Sequence, residues 1–112
     1  MKNIILVTGG AGYIGSHVCK ALHQAGYLPV VYDNLSAGFQ HAVKWGPFEL
    51  GDVLDTGRLT DVMAAHKPVA VIGMAAHIAA GESVTMPGKY YRNNTMGQLS
   101  LLEAMSACGV KN

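Results

Sequence analysis

The 112-residue chain has room for one domain, carries a formal net charge of +1, and is 50% hydrophobic and 13% charged. No basic run supplies the concentrated positive face that a nucleic-acid backbone requires, and no stretch approaches the roughly 20 apolar residues of a membrane span. Cys19 and Cys108 stand far apart without a CxxC pattern, which reads as two free thiols in a reducing compartment.

The opening KNIILV is too short for a signal peptide and runs into glycines, so the expected location is the cytoplasm. Residues 4–7 (IILV) form a continuous, largely β-branched run, the pattern of a central strand covered on both faces. After a glycine-rich break, Ile14, Val18, Leu22 and Ala25 recur at helical spacing until Gly26 stops the pattern. Residues 27–32 predict a second strand, ended by Asp33-Asn34, and from 35 to 46 no period is sustained.

Residues 47–50 predict a short third strand, ended by Gly51-Asp52. Asp55 then caps a helix with Leu59, Val62, Met63 and His66 at its buried positions, and Pro68 ends it. A fourth strand is expected at 69–72, a loop at 73–88, and a last helix from about 89 to 108 with Gly109 as its stop. Strands alternating with helices predict an α/β fold, a doubly wound parallel sheet of about four strands in the order 3-2-1-4. Residues 1–112 are expected to form a single unit.

Leu99, Leu101, Leu102 and Met105 cover more than one face of the last helix, and nothing follows the fourth strand to cover its outer edge. The sheet is therefore expected to continue, and the chain to self-associate through the fourth-strand edge or the last helix.

The strongest signal is TGGAGYIG at 8–15, between a predicted strand and a predicted helix. Gly9 tolerates the backbone angles of a sharp turn. A bare backbone at Gly12 admits a pyrophosphate, and Gly15 lets the helix pack closely. The N–H groups that open the helix then hold the phosphates. Asp33, 18 residues beyond Gly15, ends the second strand, where a carboxylate accepts hydrogen bonds from the adenosine ribose. It also repels a 2′-phosphate, and no arginine follows nearby, so NAD is favoured over NADP. This is a Rossmann-type, dinucleotide-binding arrangement.

Taken with YDNLS at 32–36, GDVLD at 51–55, AAHIAAGESV at 75–84 and YYRNN at 90–94, the chain resembles the extended short-chain dehydrogenase/reductase superfamily. Within it, the pairing of DNLS, GESV and YYxNN is similar to the UDP-glucose 4-epimerases, over essentially the whole length. The resemblance implies that Tyr13 and Ile14 lie against the pyrophosphate. It sets Asp33, Asn34, Leu35, Ser36, Ala37 and Gly38 around the adenosine ribose, and Asp52 and Val53 beside the adenine. Met74, Ala75, Ala76, His77 and Ile78 fall beneath the nicotinamide half, and Asn93 matches a cofactor-contacting asparagine.

The implied activity is interconversion of UDP-galactose and UDP-glucose by hydride transfer at C4 through NAD, with the UDP-sugar bound only by the full-length parent. The family's catalytic tyrosine belongs to a YxxxK pair. Four positions after Tyr13, Tyr27, Tyr32, Tyr90 and Tyr91 stand His17, Val31, Ser36, Asn94 and Thr95, so no catalytic residue is assigned and the chain is expected to be inactive alone. The chain also departs from the family at Gly73-Met74, where a histidine and an aromatic are common, and at Gly88, where a larger apolar residue is usual.

Two other readings stay open: a stand-alone dinucleotide-binding module, and a fragment of another sugar-nucleotide-modifying enzyme of the superfamily. The five histidines show neither HExxH nor another ligand spacing, and no metal is assigned. Glu82-Ser83 has no base placed beside it by any motif, so it is read as loop capping or hydrogen bonding on the substrate side.

Overall fold

The computed structural model describes residues 2–36, 38–75, 87–88 and 92–112, apart from the side chains of residues 92 and 93. Strand β1 (Ile4–Thr8) leads into helix α1 (Tyr13–Gln24), followed by β2 (Leu28–Asp33) and a short 3₁₀ turn (Gln40–Ala42). Then come β3 (Phe48–Leu50), α2 (Thr56–His66) and β4 (Ala70–Gly73). A π-helical turn (Arg92–Met96) runs into α3 (Gly97–Cys108). The four strands are parallel in the order β3-β2-β1-β4, as the sequence predicts.

The continuous apolar runs follow from a sheet covered on both faces. Leu6, Val30 and Tyr32 face a core with Val53, Leu59, Val62, Met63, Leu101 and Ala104, under α2 and α3. The alternate residues Ile5, Val7 and Val31 face the other way and pack with Ala11 and Cys19 beneath α1. Asp55 caps α2 as expected, its Oδ1 accepting the Arg58 N–H at 3.0 Å. Lys67, in the left-handed conformation, closes that helix ahead of Pro68.

Four details differ from expectation. In α1 the buried residues are Gly15 and Cys19, while Ile14 is 58% exposed, so the face toward the sheet lies one residue round from the apolar period. His66 is half-buried rather than core, because its Nε2 meets Glu49 Oε2 at 2.9 Å. Residues 87 and 88, expected to close a loop, are helical. The edge of β4 is not bare, since Val71 donates its N–H to the carbonyl of Asn112 at 2.8 Å.

The breadth of the last helix is as read. Gly97, Ser100, Leu101 and Ala104 are buried, with the Ser100 hydroxyl 2.6 Å from that of Thr56 in α2, whereas Leu99 and Leu102 are exposed. Among the described residues no helix is long and apolar enough to cross a membrane.

Candidate functional site

The carboxyl ends of β1, β2 and β4 meet at one rim. β1 lies where the strand order reverses, with β2 and β3 to one side and β4 to the other, and such a switch point opens a crevice in doubly wound sheets. The chain leaves β1 through Gly9, at φ +73°, whose N–H donates to Tyr32 O at 2.8 Å. A β-carbon on Gly9 would come within 2.7 Å of Met74 C and Ala75 N, so this turn packs directly against the exit of β4. Met74 in turn donates its N–H to Thr8 O at 2.8 Å.

Gly12 donates its N–H to Gly9 O at 3.2 Å and forms the N-cap of α1, with no side-chain cap and no acidic residue in the first turn. The first intrahelical bond runs from Ser16 N–H to Gly12 O at 2.9 Å. The N–H groups of Tyr13, Ile14 and Gly15 precede it and open at the positive end of the helix dipole, a natural seat for an anion. Tyr13 is 81% exposed beside them. Gly15 is glycine for an internal reason: a β-carbon would overlap Gly9 O and lie 2.9 Å from Gly10 Cα. The close packing it allows is thus against the turn itself.

Asp33 ends β2 at the same rim and is 9% exposed. Its Oδ2 accepts the Ala11 N–H at 3.0 Å and its Oδ1 the Leu35 N–H at 2.8 Å. Asn34 Oδ1 accepts the Ser36 N–H at 2.9 Å, a second side-chain turn in succession. Phe39 then donates its N–H to Ala11 O at 3.2 Å, and a β-carbon on Gly38 would overlap that carbonyl. The segment after β2 therefore lies on the glycine-rich turn.

Asp52 stands on the neighbouring loop, after β3. Its Oδ1 accepts the Leu54 N–H at 2.8 Å, Asn34 Nδ2 approaches its Oδ2 at 3.4 Å, and its carbonyl accepts the Tyr32 hydroxyl at 2.7 Å. Burial, aided by the charge of Asp55, pushes the Tyr32 phenol up to about 12. Val53 differs in kind: its side chain belongs to the core, where a β-carbon on Gly97 would lie 2.8 Å from it.

Of the residues singled out from the sequence, Gly9, Gly12, Tyr13, Ile14, Gly15, Asp33, Asn34, Leu35, Ser36, Gly38, Asp52, Met74 and Ala75 fall on this rim or on the loops that border it. Asn93 lies in the π-helical turn. Ala37, Ala76, His77 and Ile78, like Glu82 and Ser83, lie outside the described residues. Ala11 and Phe39 were missed. Both act through backbone groups, which residue identity does not reveal. Thr8 was missed too; its hydroxyl is buried and has no hydrogen-bond partner among the described residues.

The chain matches the family described as "NAD dependent epimerase/dehydratase family" over residues 5–112. It is 56% identical over 109 residues to a UDP-glucose 4-epimerase of Rhizobium meliloti (strain 1021), covering 97% of this chain and 33% of that protein. With a UDP-glucose 4-epimerase of Rhizobium leguminosarum bv. trifolii it shares 53% over 106 residues, covering 95% of this chain and 32% of the relative. The crystal structure of the Brucella ovis UDP-glucose 4-epimerase in complex with NAD superposes with a TM-score of 0.96 at 55% identity, covering 98% of this chain and 34% of that one. The chain thus spans about a third of the length of these relatives. By the family match, the shared fold and the rim geometry, it belongs to the NAD dependent epimerase/dehydratase family.

Proposed function

We propose that residues 1–112 form one dinucleotide-binding unit of a UDP-glucose 4-epimerase, and that the dinucleotide is NAD. Gly12 is the observation that carries this reading. Its backbone (φ −78°, ψ 176°) is extended, open to any residue, and among the described residues a β-carbon there would meet only Gly9 O, at an ordinary 3.4 Å. The fold has no need of glycine at this position, unlike Gly9 or Gly15. Close approach of a diphosphate to the uncapped start of α1 does need it.

In this reading Gly9, Gly12, Tyr13, Ile14 and Gly15 seat the diphosphate. Asp33, Asn34, Leu35, Ser36, Ala37 and Gly38 surround the adenosine ribose, and the Asp33 charge disfavours a 2′-phosphate. Asp52 and the backbone of Val53 border the adenine, Met74, Ala75, Ala76, His77 and Ile78 serve the nicotinamide half, and Asn93 contacts the cofactor. When bound, NAD supplies an acceptor for hydride from a sugar carbon. The residues here bind and orient; proton transfer to and from a UDP-sugar belongs to the longer protein, whose activity is interconversion of UDP-galactose and UDP-glucose. The relatives named above, all UDP-glucose 4-epimerases, support that choice over other members of the superfamily. The two free cysteines suit the reducing cytoplasm as its location.

Calorimetric titration of the chain is expected to give binding of NAD and at least about tenfold weaker binding of NADP, roughly the effect of one unfavourable charge contact. Equal affinities would overturn the reading of Asp33, and no NAD binding would overturn the unit as a binder in its own right. Interconversion of UDP-galactose and UDP-glucose by the chain alone would overturn the assignment of catalysis to residues outside it. The outward Leu99 and Leu102, with Met96 beside them, support self-association through α3. Light scattering should give a dimer or higher mass, and a clean monomer at high concentration opposes it.

A further inference from the structure

Asp33 has more to do than its place beside a ribose demands. Both of its carboxylate oxygens accept backbone N–H groups from different segments, Ala11 at 3.0 Å and Leu35 at 2.8 Å. Ala11 is held through its carbonyl as well, which accepts the Phe39 N–H at 3.2 Å. Leu35 sits at φ +63°, a left-handed conformation that side chains other than glycine rarely adopt. Its N–H is held there by Asp33, and the next turn is held by Asn34.

We infer that Asp33 is a positioning residue: its carboxylate fastens the loop after β2 to the glycine-rich turn before any dinucleotide arrives, and so sets the shape of the adenosine site as well as its charge. The ligand in this statement rests on the NAD reading above; the hydrogen bonds do not. A carboxylate has about four acceptor positions, so two remain for ribose hydroxyls after both backbone donors are satisfied. An amide in its place keeps one acceptor and turns an NH₂ donor against the other backbone donor. Were charge the whole of its role, Asp33→Asn would simply relax the discrimination against a 2′-phosphate. With the clasp lost, the site fails for both dinucleotides.

Site-resolved hydrogen exchange of the chain without any dinucleotide is the first test. The Ala11 and Leu35 amides are expected to be protected, and exchange of either at the unprotected rate overturns the inference. In Asp33→Asn both amides should exchange about tenfold faster or more, the loss of a charge-assisted bond, while Leu6 and Val30 in the sheet stay unchanged. NAD affinity should fall about tenfold or more, with NADP affinity not rising above that of the wild type. Unchanged exchange together with a gain in NADP binding overturns it. If Asp33→Asn does not fold, exchange in the wild type still decides. If the wild type binds no NAD, the dinucleotide reading fails while the exchange result still tests the clasp.

Discussion

Two glycines three residues apart should respond oppositely to the same substitution. In Gly15→Ala the new methyl meets Gly9 O, Gly10 Cα at 2.9 Å and Gly9 C at 3.0 Å, all backbone atoms that cannot swing aside. Overpacking of this kind costs about 3 kcal/mol at the upper end, and the better helix propensity of alanine returns about 1 kcal/mol, leaving about 2 kcal/mol of destabilisation. At ~2.1 cal/mol/K per residue, 112 residues give an unfolding entropy of ~0.24 kcal/mol/K, so Tm should fall by ~8 °C. In Gly12→Ala the nearest atom is Gly9 O at 3.4 Å. A poorer N-cap costs up to about 1 kcal/mol, and the stiffer unfolded chain offsets about 0.4–1 kcal/mol, so stability stays within about 0.5 kcal/mol. That methyl instead stands where a diphosphate must approach. Losing one charge-assisted hydrogen bond, about 1.5–3 kcal/mol, lowers NAD affinity by about 10- to 100-fold. Urea denaturation and calorimetric titration of both variants provide the assay. Equal stability losses, or wild-type NAD affinity in Gly12→Ala, would refute the division of labour.

The remaining predictions concern the frame around the site. The His66 hydrogen bond first, and then the charge of Arg58, hold Glu49 below the usual carboxylate range. Its folded value is depressed, so its contribution is present above the ordinary glutamate pKa and lost as pH falls through the folded one; the urea midpoint of Glu49→Gln should be less acid-sensitive than that of the wild type. Burial raises the Cys19 thiol to about 11 at 2% exposure, so a thiol reagent near neutral pH should titrate Cys108 alone until urea is added. Two fast thiols in the folded chain would contradict this. Tyr32→Phe should cost about 1–1.5 kcal/mol in urea by removing the bond to Asp52 O. The Tyr32 value is raised on folding, so its contribution is full below the ordinary phenol value of 10.0 and fades toward about 12, an alkaline loss the variant should lack. Gly73→Ala should stabilise the chain by about 0.4–1 kcal/mol, because its β-carbon would meet Leu101 and Gln98 side chains no closer than 3.4 Å; a lower Tm would count against that.

The sheet and its order were legible because burial on both faces leaves continuous apolar strands, and because a glycine turn followed by an acid is hard to place elsewhere. The Asp55 cap and the Leu59, Val62 and Met63 face of α2 were legible for local reasons. The face of α1 was misplaced by one residue because contact with the turn is made by Gly15, which carries no hydrophobic signal. The segment from 35 to 46 showed no period, yet much of it is ordered. Side chains of Asp33 and Asn34 hold its start and the Ala11 peptide holds Phe39, and none of these bonds leaves a repeat to detect. The resemblance sets Val53 beside the adenine with Asp52; the chain turns between them and sends the valine side chain inward, a distinction that sequence alone does not carry.

A glycine pattern mixes two kinds of constraint, and only a position-by-position test separates them. Gly9, Gly15 and Gly38 are needed because added side chains would run into neighbouring backbone at the rim. Those three account for the turn whether or not anything binds there. Within the 9–15 motif, Gly12 alone answers to nothing among the described residues. Asp33 shows the same overlap in one residue, since its bonds to Ala11 and Leu35 account for a buried acid without any ligand. A turn with Gly9, Gly15, Gly38 and Asp33 intact but a bulky residue at position 12 would keep this fold and lose the capacity for a diphosphate. The case for a dinucleotide at this turn therefore narrows to the one glycine of the 9–15 motif that the fold could spare, and the pair of alanine substitutions is the shortest route to deciding it.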